Sequence, residues 1–293
     1  MTLFKGAGVA LVTPFSEGKV DYDRLEGLLN WQVSSGIDAV VSCGTTGEAS
    51  TLNDEEHIRT VKFTVETVKK KVPVIAGTGS NDTAHAVFMA QALENIGADG
   101  LLMVTPYYNK CTQKGLVKHY EKIADSVNIP MILYSVPGRT GVNISPSSVK
   151  ELSGHPNICG IKEASGNMSQ VVEIARYVSE DFALYSGNDD MIVPLLSVGG
   201  VGAISTVANV IPSDTSRMIH KYLKGDVKTA KNMQLAMKPL IDAMFIEVNP
   251  IPVKAALSMM DKIKPEYRMP LCEAENLSLY EIMTQMKDYG LIQ

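Results

Sequence analysis

Eight short, nearly continuous apolar stretches punctuate the first 209 residues: GVALVTP, DAVVSCG, VPVIAGTG, DGLLMVTP, IPMILYSVP, ICGIKEAS, FALYSGND and VGAISTVAN. Each is too short for an ordinary helix, rich in Val and Ile, and closed by Gly, Pro, Asn, Asp, Ser or Thr. That pattern suits parallel strands covered on one face by helices and on the other by a core. Longer amphipathic segments separate them. Residues 21–35 carry Leu25, Leu28, Leu29 and Val33 at helical spacing. Residues 53–70 open with Asn53 as an N-cap and Glu56 at the capping-box position. Residues 82–96 and 113–127 follow the same logic.

Strand alternating with helix is the signature of an α/β fold with a parallel sheet. About eight such units precede residue 225, the repeat a (β/α)8 TIM barrel requires. A doubly wound sheet would carry a Gly-rich phosphate loop after its first strand. Here that strand ends in Val12-Thr13-Pro14-Phe15, and the chain has neither GxGxxG nor GxxxxGK[ST]. The expectation is a catalytic (β/α)8 barrel over 1–224 and a C-terminal helical appendage over 225–293, with helical patterns at 226–247, 252–261 and 277–289. The methionines of that tail (Met233, Met237, Met244, Met259, Met260) read as packing residues.

Composition narrows the function. The 293 residues are 45% hydrophobic and 20% charged, which excludes a disordered chain. A net charge of −5 argues against a nucleic-acid binder, which needs a basic surplus. Cys43, Cys111, Cys159 and Cys272 have no CxxC spacing and no His pair to complete a zinc site, so they read as reduced thiols and no metal is expected. No apolar stretch approaches a membrane span, and the N-terminus lacks a signal-peptide cleavage pattern. A soluble cytoplasmic protein is the expectation.

In a barrel, chemistry sits at the C-terminal ends of strands. Those ends carry Thr45 and Thr46, Tyr107 and Tyr108, Tyr134 and Arg139, Lys162, and Gly187. Lys162 is the most informative, because it continues the apolar run Ile158-Cys159-Gly160-Ile161. Burying an ammonium costs several kcal/mol or lowers its pKa, and a neutral amine in a barrel mouth can form a Schiff base with a ketone. The alternative is a lysine paired with Glu163 or snorkelling to the rim. Tyr134 is either a proton relay bridged through Thr45 or a core tyrosine with its hydroxyl satisfied. Arg139, in Pro-Gly-Arg-Thr-Gly, is either a carboxylate clamp or a surface ion pair. The Gly44–Glu48 loop can cradle an anion or form a plain turn. Asp189-Asp190 reads as a helix N-terminal cap.

GTTGE, TPYYN, YSVPGRTG and GIKEASG, in that order after successive strands, make the whole chain resemble the pyruvate-dependent class I aldolase superfamily typified by N-acetylneuraminate lyase. The Pro-Gly-Arg-Thr-Gly segment favours the branch that condenses pyruvate with L-aspartate 4-semialdehyde, a lyase on the diaminopimelate route to lysine. The resemblance implies that Lys162 forms the imine and Tyr134 shuttles protons. It also implies that Thr45 links Tyr134 to a Tyr108 reaching in from a neighbouring subunit, and that Thr46 holds the pyruvate carboxylate. Arg139 then binds the carboxylate of the aldehyde, and Gly187 and Ile204 lie near the keto acid. No cofactor is implied beyond the covalent imine. A homotetramer built as a dimer of dimers is.

Family members inhibited by lysine bind it at a subunit interface, and the matching positions are Ala49, Ser50, Asp54, His57, Asn81, His85 and Tyr107. The sensitive pattern has Glu at position 85 and often His at position 54, so this chain departs from it and weak or absent lysine inhibition is expected. Three rivals stay open: an aldolase for another aldehyde, which would not need Arg139; a non-catalytic keto-acid sensor; and a phosphate-binding barrel isomerase, disfavoured by the acidic loop Gly187–Asp190.

Overall fold

The computed structural model describes residues 2–293. The eight apolar stretches become the eight strands of a closed parallel barrel, with one small hairpin inserted after the first. In chain order these are β1 (Gly6–Ala10), the hairpin β2 (Phe15–Ser16) and β3 (Lys19–Val20), β4 (Ala39–Ser42), β5 (Val74–Gly77), β6 (Gly100–Val104), β7 (Met131–Ser135), β8 (Ile158–Glu163), β9 (Ala183–Ser186) and β10 (Gly202–Ser205). Neighbours pair sequentially from β4 to β10, and β1 closes the ring by pairing with both β10 and β4. The expectation of a (β/α)8 barrel is met.

The strands are apolar on both sides because each side packs against something. Along β7, Met131 and Leu133 join the layer under the helices, whereas Ile132 and Tyr134 point into the barrel. The two-residue period makes register decisive: a slip of one residue would exchange the faces. Across the β7–β8–β9 seam the register sets Tyr134 beside Lys162, and Lys162 beside Tyr185. The barrel interior is filled by side chains, including Tyr185, which stacks on Phe4 at 4.6 Å and donates its hydroxyl to the Phe4 carbonyl.

The helices start where side chains can cap them. Asp21, Asn53 and Asp82 each accept a backbone N–H in the first turn of helices Tyr22–Ser34, Asp54–Val68 and Thr83–Asn95. The expected capping box at Asn53 is only half formed. Glu56 does not reach back; its carboxylate takes two hydrogen bonds from Arg268, far along the chain. A partly buried long-range ion pair outcompetes the local motif.

The division expected at residue 225 falls in the turn between helices Pro212–Leu223 and Val227–Ala243. Helices Val227–Ala243, Ile251–Met259 and Asn276–Asp288 follow. Met237, Leu240, Ile241 and Met244 belong to the same buried cluster as the barrel's outer layer, so the tail packs directly on the barrel. No helix among the described residues is long and apolar enough to cross a membrane.

Candidate active site

A cavity of about 340 Å³ opens at the C-terminal ends of the strands, walled by Lys162, Tyr134, Thr46, Arg139, Gly187 and Asn249 among others. Four of the side chains expected from strand ends therefore converge here: Lys162 from β8, Tyr134 from β7, and Thr46 and Arg139 from the loops after β4 and β7.

Lys162 is 5% exposed. Its Nζ lies 4.4 Å from the centroid of the Tyr134 ring. The neighbouring Glu163 does not pair with it. Glu163 points the other way and accepts hydrogen bonds from the Ser165 backbone and from Gln170 Nε2, while burial holds its carboxyl above the usual range. Gly187 has a steric reason to be glycine: a Cβ there would lie 3.0 Å from Lys162 Cε and 2.7 Å from Ala164 Cβ. The glycine leaves the lysine stem its channel.

Thr46 is buried and its hydroxyl is held by two neighbours, Asn249 Nδ2 donating at 2.9 Å and the Thr206 hydroxyl at 3.4 Å. Arg139 donates through Nη2 to the Asn249 carbonyl at 3.0 Å, which fixes the guanidinium on the rim. Asn249 thus touches both the hydroxyl and the guanidinium, while its own Oδ1 is buried without a hydrogen bond. Nothing in the sequence pattern marked Asn249, because it lies outside the strands in the helical tail. Thr206 was within reach, since it directly follows the β10 run.

Asp189 corrects the expectation of a simple cap. It begins a three-residue turn of helix, but its Oδ2 accepts the backbone N–H groups of Thr206 and Val207 on the loop after the neighbouring strand β10, at 3.0 and 2.8 Å. Its Oδ1 is buried without a partner. Burial raises its carboxyl above the usual value, and the Ser205 hydroxyl, the two backbone donors and the Lys162 charge work against that rise. Asp190 is exposed.

The remaining expected residues lie elsewhere. Ile204 is fully buried among the inward-facing side chains. Thr45 is half-buried next to Thr46, and among the described residues it makes no hydrogen bond to Tyr134 or Tyr108. Tyr108 is 91% exposed with a positive φ of 68°, so within one chain it faces solvent rather than the cavity.

The candidate regulatory residues cluster around the starts of two helices. His85 Nε2 lies 3.0 Å from Asp54 Oδ1, and its Nδ1 lies 3.3 Å from the Ser80 hydroxyl. His57 Nε2 contacts the Gly77 carbonyl at 2.8 Å, and burial pulls its pKa below the ordinary value. The Asn81 carbonyl accepts from Asn109 Nδ2. Tyr107 is partly exposed, and Ala49 and Ser50 lie in the single helical turn Ala49–Thr51. No group of three or more His, Cys, Asp or Glu among the described residues is arranged to hold a metal ion.

Comparison with known proteins supplies the family. The model of the dihydrodipicolinate synthetase family matches residues 3–288. A 4-hydroxy-tetrahydrodipicolinate synthase from Acetivibrio thermocellus is 53% identical over 291 residues, covering 99% of both chains. Among solved structures, dihydrodipicolinate synthase from Thermotoga maritima superposes with a TM-score of 0.97 at 39% identity, covering 99% of this chain and 100% of that one. The enzyme from Cyanidioschyzon merolae, solved with lysine bound, gives a TM-score of 0.96 at 38% identity over 100% of both chains.

Proposed function

The chain belongs to the dihydrodipicolinate synthetase family, and on that premise we propose that it condenses pyruvate with L-aspartate 4-semialdehyde to 4-hydroxy-tetrahydrodipicolinate, a lyase in the diaminopimelate route to lysine. The observation that carries the reading is Lys162, buried at the end of β8 against the Tyr134 ring, in a cavity that also holds Thr46 and Arg139.

In this reading each group has a task. The Lys162 amine attacks the pyruvate ketone, and loss of water leaves an imine, which acts as an electron sink. A proton leaves the methyl carbon to give an enamine. Its carbon bonds to the aldehyde carbon, whose oxygen takes a proton. The amino group of the second substrate then attacks the imine carbon, closes the ring and releases Lys162. Tyr134, beside the amine, is placed to pass these protons. The Thr46 hydroxyl holds the keto-acid carboxylate, and Arg139 takes the carboxylate of the aldehyde as a charge-assisted pair. Gly187 borders the space the keto acid occupies.

The imine on Lys162 performs the electron-sink role a dissociable cofactor would otherwise supply, so the reading includes no cofactor and no metal. It includes a homotetramer, a dimer of dimers, in which Tyr108 of one subunit reaches the Thr45 of another. What supports this is an aromatic side chain 91% exposed on a loop with positive φ, next to the partly exposed Tyr107. A cytoplasmic location, with no nucleic-acid or membrane partner, completes it.

The test is borohydride reduction in the presence of pyruvate, followed by peptide mass spectrometry, together with product formation from both substrates. A reduced pyruvyl adduct on Lys162 and turnover with aspartate semialdehyde are expected. An adduct on another residue, or none, would overturn the reading.

A further inference from the structure

A second lysine, Lys254, is more deeply buried than Lys162. It is 0% exposed on helix Ile251–Met259, and its Nζ forms an ion pair with Glu48 Oε1, which is itself almost fully buried. The ammonium also sits 4.3 Å from the centroid of the Phe15 ring and 5.1 Å from that of Tyr267. The other Glu48 oxygen accepts the backbone N–H of Arg268 at 3.2 Å. Arg268 in turn packs over Phe15 and ties to Glu56, Thr51 and Gly18.

Stability alone does not account for this arrangement. Removing two charges from water costs several kcal/mol per ion, and replacing a buried pair by well-packed apolar residues is often neutral or stabilising. What such a pair supplies is direction, because each partner has only one good position. Here the direction is imposed on the hydroxyl loop. Glu48 is two residues beyond Thr46 and holds a left-handed φ of 54°, a conformation that costs a non-glycine residue energy unless its surroundings enforce it.

The same tail segment grips the loop at its other end. Asn249, five residues before Lys254, donates to the Thr46 hydroxyl and accepts from Arg139. Residues 249–254 therefore span the loop from Thr46 to Glu48 and touch the guanidinium as well. We propose that Lys254 is a positioning residue for the keto-acid subsite, its ion pair with Glu48 setting the depth and angle at which the Thr46 hydroxyl meets a carboxylate delivered to Lys162. The proposal deepens the reading above and rests on Thr46 as the carboxylate partner.

Three variants test it: Lys254→Met, Glu48→Gln, which keeps the shape of the side chain, and the two combined. The readouts are thermal midpoint and the pyruvate concentration that half-saturates borohydride trapping on Lys162. Single variants should raise that concentration about tenfold, the scale of one misplaced polar contact. The double variant removes both charges and should recover the midpoint of the wild-type protein while its pyruvate requirement stays raised. KM for the aldehyde should move less than KM for pyruvate. Recovery of pyruvate affinity together with stability in the double variant would overturn the proposal. So would unchanged half-saturation in Glu48→Gln, which settles the point even if Lys254→Met does not fold. Wild-type protein is the control: if it traps no pyruvate on Lys162, the functional reading fails, whereas normal wild-type trapping with unaffected variants defeats only the positioning role.

Discussion

Lys162 and Tyr134 are register partners on adjacent parallel strands, so the amine and the ring face the same cavity from neighbouring rungs of the barrel. The pairing makes their roles separable. Lys162→Ala removes the nucleophile that the protein supplies and should abolish both trapping and turnover. Tyr134→Phe keeps the ring and loses the phenol. It should still form the adduct while kcat falls by about 10²–10⁴, the usual range for a lost general acid–base group. Steady-state kinetics beside trapping stoichiometry check both; a Tyr134→Phe enzyme with normal kcat would remove the phenol from the mechanism.

Arg139 is anchored to the Asn249 carbonyl on the cavity rim and is free to present its remaining donors to a second carboxylate. Arg139→Ala should raise KM for aspartate semialdehyde about 10–100-fold, the worth of a charge-assisted hydrogen bond. Pyruvate trapping should change little. Equal losses for both substrates would place Arg139 elsewhere in the scheme.

The barrel was legible because its strands are buried on both faces, which leaves eight unbroken apolar runs with clear punctuation. Lys162 was legible for the same reason, as the one charge that continues such a run before its acidic neighbour. Asn249, Lys254 and Arg268 were not. Their partners Thr46, Glu48 and Glu56 lie more than 200 residues away in sequence, and no local pattern encodes a contact of that span. Glu56 shows the cost of local rules: its spacing from Asn53 spelled a capping box, and Arg268 took the carboxylate instead. Asp189 was misread similarly, since its true partners are backbone donors on the next strand's loop.

The contact between Asp54 and His85 bears on feedback control. An ammonium ligand needs an unpaired carboxylate, and here Asp54 already faces His85 at 3.0 Å. L-Lysine should therefore inhibit only weakly, with half-inhibition above about 1 mM. His85→Glu should lower that concentration by removing the competing imidazole and adding a carboxylate. Sub-millimolar inhibition of the unmodified protein would contradict this.

Thiol reactivity should follow burial. Burial pushes the Cys43 and Cys159 thiols up to about 12, so almost no thiolate exists at neutral pH. Cys272 is exposed. Iodoacetamide on the folded protein at pH 8 should label Cys272 and leave Cys43 and Cys159 untouched, with activity retained. Rapid labelling of Cys43 with loss of turnover would mean that the loop after β4 opens.

His119 gives the fold an acid-sensitive point away from the cavity. On helix Gln113–Ala124 it is 6% exposed, with Nδ1 2.9 Å from the Thr83 hydroxyl and Nε2 buried without a partner. Burial pulls its pKa down to about 4 from 6.5, with Asp82 opposing the shift. The folded protein therefore keeps a neutral ring while the unfolded chain protonates near 6.5. Between those values the unfolded state binds more protons, so stability falls as pH drops. The contribution is complete above pH 6.5 and lost by about pH 4, with a size on the order of 2–3 kcal/mol. Thermal midpoints of wild-type and His119→Leu protein from pH 7 to pH 4 measure it: the variant should lose fewer degrees across that range. Parallel curves would show that His119 takes no part in acid destabilisation.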